Sequence, residues 1–172
     1  MLKMNKIISF SLLILLGAGS YSFSQTPSKK EALVWYTDAM KAQELSNSTH
    51  KPIFAFFTGS DWCGWCIKLQ KNVFETSEFI AWAKKNVILL ELDFPRRKQL
   101  PPELAQQNAS LQQTFQIQGF PTVWMFYLTK DTTSNNYNIS ALGSLGYPGG
   151  EAGKEAETFI GNANKILANK KK

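Results

Sequence analysis

Apolar and polar residues follow one another along the chain in patterns that predict helices and strands. Helical spacing of apolar residues predicts helices at residues 29–48, 64–74 and 151–168. A capping residue with charges at both ends predicts a helix at residues 77–85, and a fifth is expected at residues 103–115, before Gly119. Short apolar runs bounded by proline, glycine or polar residues predict four strands, at residues 53–57, 87–94, 122–128 and 139–147. A hairpin between residues 129 and 138 would join the last two strands. This order predicts an α/β fold whose central mixed sheet is flanked by helices on both faces.

The first predicted helix depends on four apolar residues. Trp35, Ala39, Ala42 and Leu45 follow one another at intervals of four, three and three residues, which is the spacing of one face of an amphipathic helix. We therefore expect Trp35 to reach the core from a helix, as we do for Trp82 further along the chain.

Composition narrows the class of protein. The chain has 172 residues, of which 44% are hydrophobic and 13% aromatic, including 12 Phe. This length and apolar content suffice for a hydrophobic core and exclude a wholly disordered chain. Two cysteines allow one bridge at most, which excludes a disulfide-rich scaffold.

The N-terminus has the pattern of a secretory signal peptide. Lys3 and Lys6 precede an apolar run at residues 7–19, and a small-x-small cleavage site ends at Ser24. The run is shorter than the roughly 20 residues that span a bilayer, which favours cleavage over an uncleaved membrane anchor. We predict cleavage between Ser24 and Gln25.

Cleavage of the predicted signal peptide would leave a shorter and less basic protein. We predict a signal peptide at residues 1–24 and one domain at residues 25–172 that begins with a helical extension. Loss of two lysines lowers the formal net charge from +6 to +4. The remaining basic runs, at residues 96–98 and 170–172, have no aromatic residues among them, so they do not indicate nucleic-acid binding.

Both cysteines lie in one motif, Cys63-Gly64-Trp65-Cys66, which follows an all-apolar strand and opens a predicted helix. The N-terminus of a helix presents unpaired N–H groups and the positive end of the helix dipole. This environment lowers the pKa of a thiol, so we expect Cys63 to be the nucleophile. Cys66, one turn further along, would be shielded and would act as the resolving cysteine.

Other uses of such a cysteine pair fit the sequence less well. A structural disulfide across two residues would remove little entropy from the unfolded chain. Zinc takes four ligands, whereas the chain offers only His50 besides the cysteines, and covalent haem requires a histidine where Ile67 stands. The motif therefore favours a redox-active dithiol, with no metal and no other cofactor.

Export and a dithiol together indicate exchange with the disulfides of other proteins, which are common outside the cytosol. The Cys63 thiolate would attack a client disulfide, and Cys66 would then attack the Cys63 sulfur to release the reduced client. The reverse sequence would oxidise a client dithiol. The redox potential decides the direction, which the sequence leaves open.

A second motif, Gly119-Phe120-Pro121-Thr122, opens a later strand. Together with the dithiol motif after a strand, it resembles the thioredoxin superfamily over most of residues 29–168. The resemblance implies a thioredoxin-like fold in which Pro121 is a cis-proline facing the dithiol. It also implies that the backbone of Phe120 pairs with a client peptide as an added strand.

Three segments resemble, more narrowly, the DsbH-type periplasmic thioredoxin-like oxidoreductases; they lie at residues 58–63, 66–70 and 91–95. This resemblance implies a periplasmic or secreted protein with a bias towards disulfide reduction. Its partners would be client proteins with disulfides or thiols and a membrane-bound electron donor, and we expect a monomer.

The sequence departs from the thioredoxin pattern at two points. Thioredoxins carry a buried acid in the strand before the motif, where it relays a proton to the resolving cysteine, whereas residues 53–57 are all apolar. Asp61 is the nearest acid, but a turn-capping role suits it better, and water is an equally good base. Trp65 stands where strongly oxidising relatives often have a histidine, which favours a reductase.

Client contacts are predicted on both sides of the nucleophile, at Trp62, Gly64, Trp65, Phe120 and Pro121. Trp62 and Phe120 would form an apolar rim around Cys63, although plain packing explains Trp62 equally well. Two other functions stay open at this stage. One is a disulfide oxidase or isomerase, and the other is a non-catalytic thioredoxin-fold module that binds peptides beside Pro121.

Overall fold

The computed structural model describes residues 32–131 and 136–168. Its helices are α1 (Ala39–Thr49), α2 (Gly64–Leu69), α3 (Ser77–Asn86), α4 (Pro102–Thr114) and α5 (Glu155–Ala168). Its strands are β1 (Trp35–Tyr36), β2 (Ile53–Thr58), β3 (Ile88–Asp93), β4 (Thr122–Lys130) and β5 (Tyr137–Leu145). The predicted signal peptide and the basic run at residues 170–172 lie outside the described residues.

The strands form one mixed sheet in the order β1-β3-β2-β4-β5. Strands β1 and β2 run parallel to β3, whereas β4 runs antiparallel to both β2 and β5. Residues of α2, α3 and α5 pack on one face of this sheet, and residues of α1 and α4 pack on the other. The predicted α/β fold with a central mixed sheet and helices on both faces is confirmed.

The central strand β2 supplies both layers of the core. All six of its residues are buried. Phe54 and Phe56 join the cluster beneath α2, α3 and α5, while Ala55 and Phe57 join the cluster beneath α1 and α4. Full burial of one such phenylalanine side chain contributes about 1.5–3 kcal/mol. The uninterrupted apolar run is therefore that of a strand covered on both faces.

Strand β5 contains an irregularity that changes which face its residues occupy. The pairing register with β4 shifts between Met125 and Phe126, which leaves Leu142 as an extra residue. In a regular strand, residues two apart share a face, but the extra residue of a β-bulge shifts this alternation, so that residues three apart can lie on the same face. Leu142 and Leu145, three residues apart, consequently pack against the same cluster, whereas Ile139 packs against the other.

The predicted helix at residues 29–48 is wrong in its first part, because residues 32–38 are not helical. Trp35–Tyr36 forms β1 instead, and α1 begins only at Ala39. The cause is Asp38, whose carboxylate accepts hydrogen bonds from two N–H groups of the first turn and thereby caps the helix. Trp35 does pack against the core, but it does so from a strand.

The helix that carries the dithiol does not stay an α-helix. After Leu69 it continues into a π-helical turn, Gln70–Phe74, in which the N–H of Glu75 donates to the carbonyl of Gln70 at 2.9 Å. The sequence predicted one helix over residues 64–74, which is the combined length of α2 and this turn. Val73 and Phe74 lie in the core, which anchors the turn.

The sheet brings the two sequence motifs to one place. Strand β2 ends at Thr58, just before the dithiol segment, and β4 begins at Thr122, just after Pro121. Because these neighbouring strands are antiparallel and Phe57 pairs with Thr122, both motifs lie at the same end of the sheet. Among the described residues, no helix is long and apolar enough to cross a membrane.

Candidate active site

The dithiol lies at the N-terminus of α2. Cys63 and Cys66 form a disulfide. Cys63 is the N-cap residue, and its Sγ accepts a hydrogen bond from the N–H of Cys66 at 3.2 Å. Cys63 is 6% exposed and Cys66 2%. Both are buried, and Cys63 is the closer of the two to solvent.

The loop that leads to Cys63 is fastened to the end of β3 by Asp93. The Asp93 carboxylate accepts hydrogen bonds from the N–H and the hydroxyl of Ser60, at 2.8 and 2.7 Å, and pairs with the Lys98 ammonium at 2.9 Å. Burial alone would raise the pKa of Asp93, but the bonds from Ser60 and the charge of Lys98 outweigh it and lower the pKa. Asp93 is therefore held as a carboxylate.

Asp61 fastens a second loop. Its carboxylate accepts hydrogen bonds from the N–H of Arg96, at 3.0 and 3.2 Å, and from the N–H of Arg97 at 2.7 Å. The bond from the Arg96 N–H is the main reason that the pKa of Asp61 is lowered. These contacts are those of a residue that caps a loop, which is the role that the sequence favoured for Asp61 over that of a base.

Trp62 packs inward between several groups. Its indole N–H donates to the carbonyl of Phe94 at 2.8 Å, its ring lies 5.9 Å from that of Phe120, and the Arg96 guanidinium lies 3.7 Å from its centroid. Position 59 must be glycine, because a Cβ there would overlap the Trp62 ring. Trp62 is thus packed against Phe120 and held by Phe94 and Arg96 directly before Cys63.

Trp65, between the cysteines, faces outward and is 56% exposed. Its ring contacts that of Tyr147 at 5.0 Å, and the Lys68 ammonium lies 4.7 Å from its centroid. The Tyr147 hydroxyl accepts a hydrogen bond from the Asn72 amide at 3.0 Å. Because Asn72 lies in the π-helical turn, that turn helps to hold Tyr147 against Trp65.

The peptide bond between Phe120 and Pro121 is cis, as the resemblance implied. Phe120 stacks on Phe94 at 5.1 Å and also contacts Trp62. The structure therefore brings Trp62, Phe120 and Pro121 together. Gly64 and Trp65 lie on the exposed start of α2.

Sequence reasoning missed several residues that shape this site, namely Ser60, Phe94, Arg96 and Tyr147, together with the anchoring role of Asp93. Most of them lie about thirty or more residues from the contacts they make with the dithiol segment. Local periodicity carries no signal for such contacts. The segment at residues 91–95, which contains Asp93 and Phe94, did stand out in the sequence through its resemblance to DsbH-type proteins. That resemblance did not indicate which residues the segment contacts.

A half-buried acid, Glu91, lies two residues before Asp93 on β3. Burial, and then the negative charge of Asp93, raise the pKa of Glu91 above its usual value. Among the described residues, no three His, Cys, Asp or Glu side chains are grouped so that they could hold a metal ion.

The fold and the site define a thioredoxin-like protein. The family model for the thioredoxin-like domain matches residues 39–132, and the chain belongs to this family.

Two curated proteins from one organism are similar to this chain in sequence. The disulfide bond reductase DsbH of Chlamydia pneumoniae is 38% identical over 104 residues, which is 60% of this chain and 63% of that protein. The thioredoxin-related protein DsbJ of the same organism is 28% identical over 114 residues, 66% of this chain and 32% of DsbJ. The chain thus matches less than two thirds of the length of either relative.

Two solved structures have the same fold. A DsbH oxidoreductase superposes with a TM-score of 0.68 at 28% identity, over 88% of this chain and 96% of that one. A thioredoxin from Thermus thermophilus superposes with a TM-score of 0.54 at 12% identity, over 80% of this chain and 88% of that one, and shows the shared fold alone.

Proposed function

We propose that this protein is an exported thiol–disulfide oxidoreductase that works mainly as a disulfide reductase on client proteins. One observation carries the proposal: the Cys63–Cys66 pair closes a disulfide at the start of a helix, with Cys66 buried beneath it. In this arrangement the Cys63 sulfur can form a mixed disulfide with a client, and the Cys66 sulfur can then attack that mixed disulfide and release the client.

In the reducing direction, the Cys63 thiolate attacks one sulfur of a client disulfide, and the other client sulfur leaves as a thiolate that takes a proton from water. The N–H of Cys66, which donates to the Cys63 Sγ, and the positive end of α2 favour the thiolate form of Cys63. Cys66 then loses its proton and attacks the Cys63 sulfur. The products are the Cys63–Cys66 disulfide and a client dithiol, so two electrons have passed to the client.

Water is the proposed acceptor of the Cys66 proton. Strand β2 offers no acid. The carboxylates of Asp61 and of Asp93, the last residue of β3, are occupied by main-chain N–H groups, and Asp93 also by the hydroxyl of Ser60 and by Lys98. A carboxylate held as an acceptor in this way is a poor base, because protonation would break its hydrogen bonds.

Client contacts are proposed at the rim of Trp62, Gly64, Trp65, Phe120 and Pro121. Support comes from the exposure of Trp65 and from the packing of Trp62 on Phe120 beside the dithiol. An extended client segment would pair with the backbone of Phe120, as an added strand pairs with a sheet edge. Trp65 and the ring of Phe120 would then contact the side chains next to the client cysteine.

The reducing direction rests on two observations. Trp65 stands where a histidine would stabilise the thiolate further and make the protein an oxidant. A relative that is 38% identical is named a disulfide bond reductase. A membrane-bound donor of electrons would regenerate the dithiol, since each turnover leaves the protein oxidised.

Replacement of the resolving cysteine tests the scheme. We expect Cys66→Ser to accumulate mixed disulfides with exported proteins, because Cys63 can attack but nothing can release the product. The matched variant Cys63→Ser should trap none. If Cys66→Ser traps no client although Cys63 still reacts with iodoacetamide, the scheme is wrong. If the double serine variant keeps full activity in cells, the peptide-binding module is correct instead.

Equilibration with glutathione tests the direction. A reductase should have a potential near that of thioredoxin, about −270 mV. A value near the strongly oxidising end of the family, about −120 mV, would favour the oxidase or isomerase.

Export and domain organisation are proposals of the same kind. We propose that residues 1–24 are removed during export and that the mature, monomeric protein acts in the periplasm or outside the cell. The mass of the protein recovered from the exported fraction checks this, since cleavage leaves Gln25 as the first residue.

A further inference from the structure

Each tryptophan of the dithiol segment has a cation on its ring. The Arg96 guanidinium lies 3.7 Å from the centroid of Trp62, and the Lys68 ammonium lies 4.7 Å from that of Trp65. Both distances are within the range of cation–π attraction, about 6 Å. Trp62 precedes Cys63 and Trp65 follows it by two residues, so both cations lie on aromatic rings of the segment that carries the proposed nucleophile.

The main chain holds Arg96 in this place. The Asp61 carboxylate binds the N–H groups of Arg96 and Arg97, so the loop is fastened without use of the Arg96 side chain. A guanidinium is planar, and one that lies over a ring still has N–H groups at its edge that can bind a carboxylate.

Asp61 lies beside Arg96 but binds its main-chain N–H and not its guanidinium. Within residues 32–131 and 136–168, no carboxylate forms an ion pair with Arg96 or Lys68. Two carboxylates near this segment already have partners: Asp61 binds main-chain N–H groups, and Asp93, at the end of β3, binds Ser60 and Lys98. The surface beside the dithiol therefore carries two cations, Arg96 and Lys68, that can still pair with a carboxylate of another molecule.

We propose that Arg96 and Lys68 select client segments that carry an aspartate or glutamate next to the reactive cysteine. The occupant of this surface is then an extended acidic segment of a disulfide-bonded exported protein, with its apolar side chains on the aromatic rim. This inference rests on the proposed function, because it names the clients of the same dithiol. Charge complementarity of this kind sets partner choice and raises the rate of encounter.

Peptide disulfides that differ only in the residues flanking the cysteine test the inference. Three versions carry glutamate, glutamine or lysine at those positions, and the second-order rate of their reduction by the full mature protein is measured. We expect the glutamate peptide to react about threefold to fivefold faster than the glutamine peptide, which is the size of one partly exposed ion pair. The lysine peptide should be the slowest. The preference should shrink at high salt, since about 1 M salt screens charges beyond about 3 Å.

Variants assign the preference to its residues. Arg96→Gln and Lys68→Gln should each reduce the ratio of the glutamate rate to the glutamine rate, and the double variant should bring it close to one. Arg96→Lys should retain part of the ratio. Lys130→Gln is the matched control, because this exposed lysine ends β4, the strand whose other end adjoins Pro121.

The outcomes separate the two proposals. If Arg96→Gln slows the glutamate and glutamine peptides by the same factor, Arg96 acts on Cys63 or on the fold, and the selection of acidic clients is wrong. Equal rates of reduction of all three peptides by the wild-type protein would also overturn this selection. If the wild-type protein reduces none of them while Cys63 remains reactive, the reductase function itself fails.

Discussion

Asp93 and Ser60 connect the end of β3 to the loop that precedes the dithiol. The two oxygens of the Asp93 carboxylate accept one hydrogen bond each from the N–H and the hydroxyl of Ser60, at 2.8 and 2.7 Å. Ser60 lies three residues before Cys63, so the position of the proposed nucleophile depends on a side chain from another strand. These two long-range hydrogen bonds thus link the end of β3 to the position of Cys63.

Asp93→Asn should destabilise the protein by about 1–3 kcal/mol, because hydrogen bonds to a charged group are lost. The pKa of Asp93 is lowered in the folded protein, so its contribution is complete above the ordinary value near 3.9 and is lost as the pH falls through the lowered value. Urea unfolding at about pH 7 and about pH 3 checks this. A difference between wild type and variant that stays the same at both pH values would contradict it.

Ser60→Ala provides the matched partner for that experiment, because it removes only the hydroxyl bond. The two single variants and the double variant form a cycle that measures the coupling between Ser60 and Asp93. Additive losses would show that the two side chains act independently.

Glu91→Gln should stabilise the protein at neutral pH. Burial and the charge of Asp93 raise the pKa of Glu91 in the folded state, so the folded protein holds this proton more tightly than the unfolded chain does. The contribution of Glu91 to stability consequently falls as the pH rises above about 4.3 towards the raised pKa. Thermal unfolding should favour the variant at about pH 7.5 and show little difference at about pH 4. An advantage that does not change with pH would mean that charge is not the cause.

Gly59→Ala should destabilise the protein by about 1–3 kcal/mol, the usual cost of overpacking. The added methyl group would overlap the Trp62 ring and push it away from Arg96 and Phe120. Gly64→Ala is the matched control for stability, because a Cβ there meets nothing within 4 Å. Unfolding curves compare the two, and equal stability of both variants would refute the overlap.

Reduction of the disulfide should lower stability only modestly, by about 2 kcal/mol or less, because the bridge spans two intervening residues and constrains little of the unfolded chain. Urea unfolding with and without a reductant measures this. If the reduced protein proves more stable than the oxidised one, the protein is an oxidant, and the proposed reducing direction is wrong.

The fold was largely predictable because apolar periodicity reports burial, and burial decides the layers of an α/β protein. The strand at residues 53–57 and the helix that begins after Thr76 were predicted nearly to the residue. The prediction of a helix at residues 29–48 was wrong at its start, because the spacing from Trp35 to Ala39 also fits a short strand followed by a capped helix. Only the cap at Asp38 distinguishes the two.

The candidate site could be proposed from the sequence only where its residues lie in the two short motifs. Cys63, Cys66 and Pro121 carry signals in their own neighbourhoods. The contacts of Trp62 with Arg96 and Phe94 join segments more than thirty residues apart, and only the folded sheet brings them together. The same holds for the anchoring of Ser60 by Asp93.

The burial of Cys66 has a kinetic consequence. Only 2% of Cys66 is exposed, against 6% of Cys63, so we expect a partner to reach the disulfide from the side of Cys63. Under the proposed function, the electron donor and the client must use this one rim in turn, and neither can bind while the other occupies it. Turnover would then proceed by two alternating half-reactions, and steady-state rates measured at several donor concentrations would give parallel double-reciprocal lines, the pattern of a ping-pong mechanism.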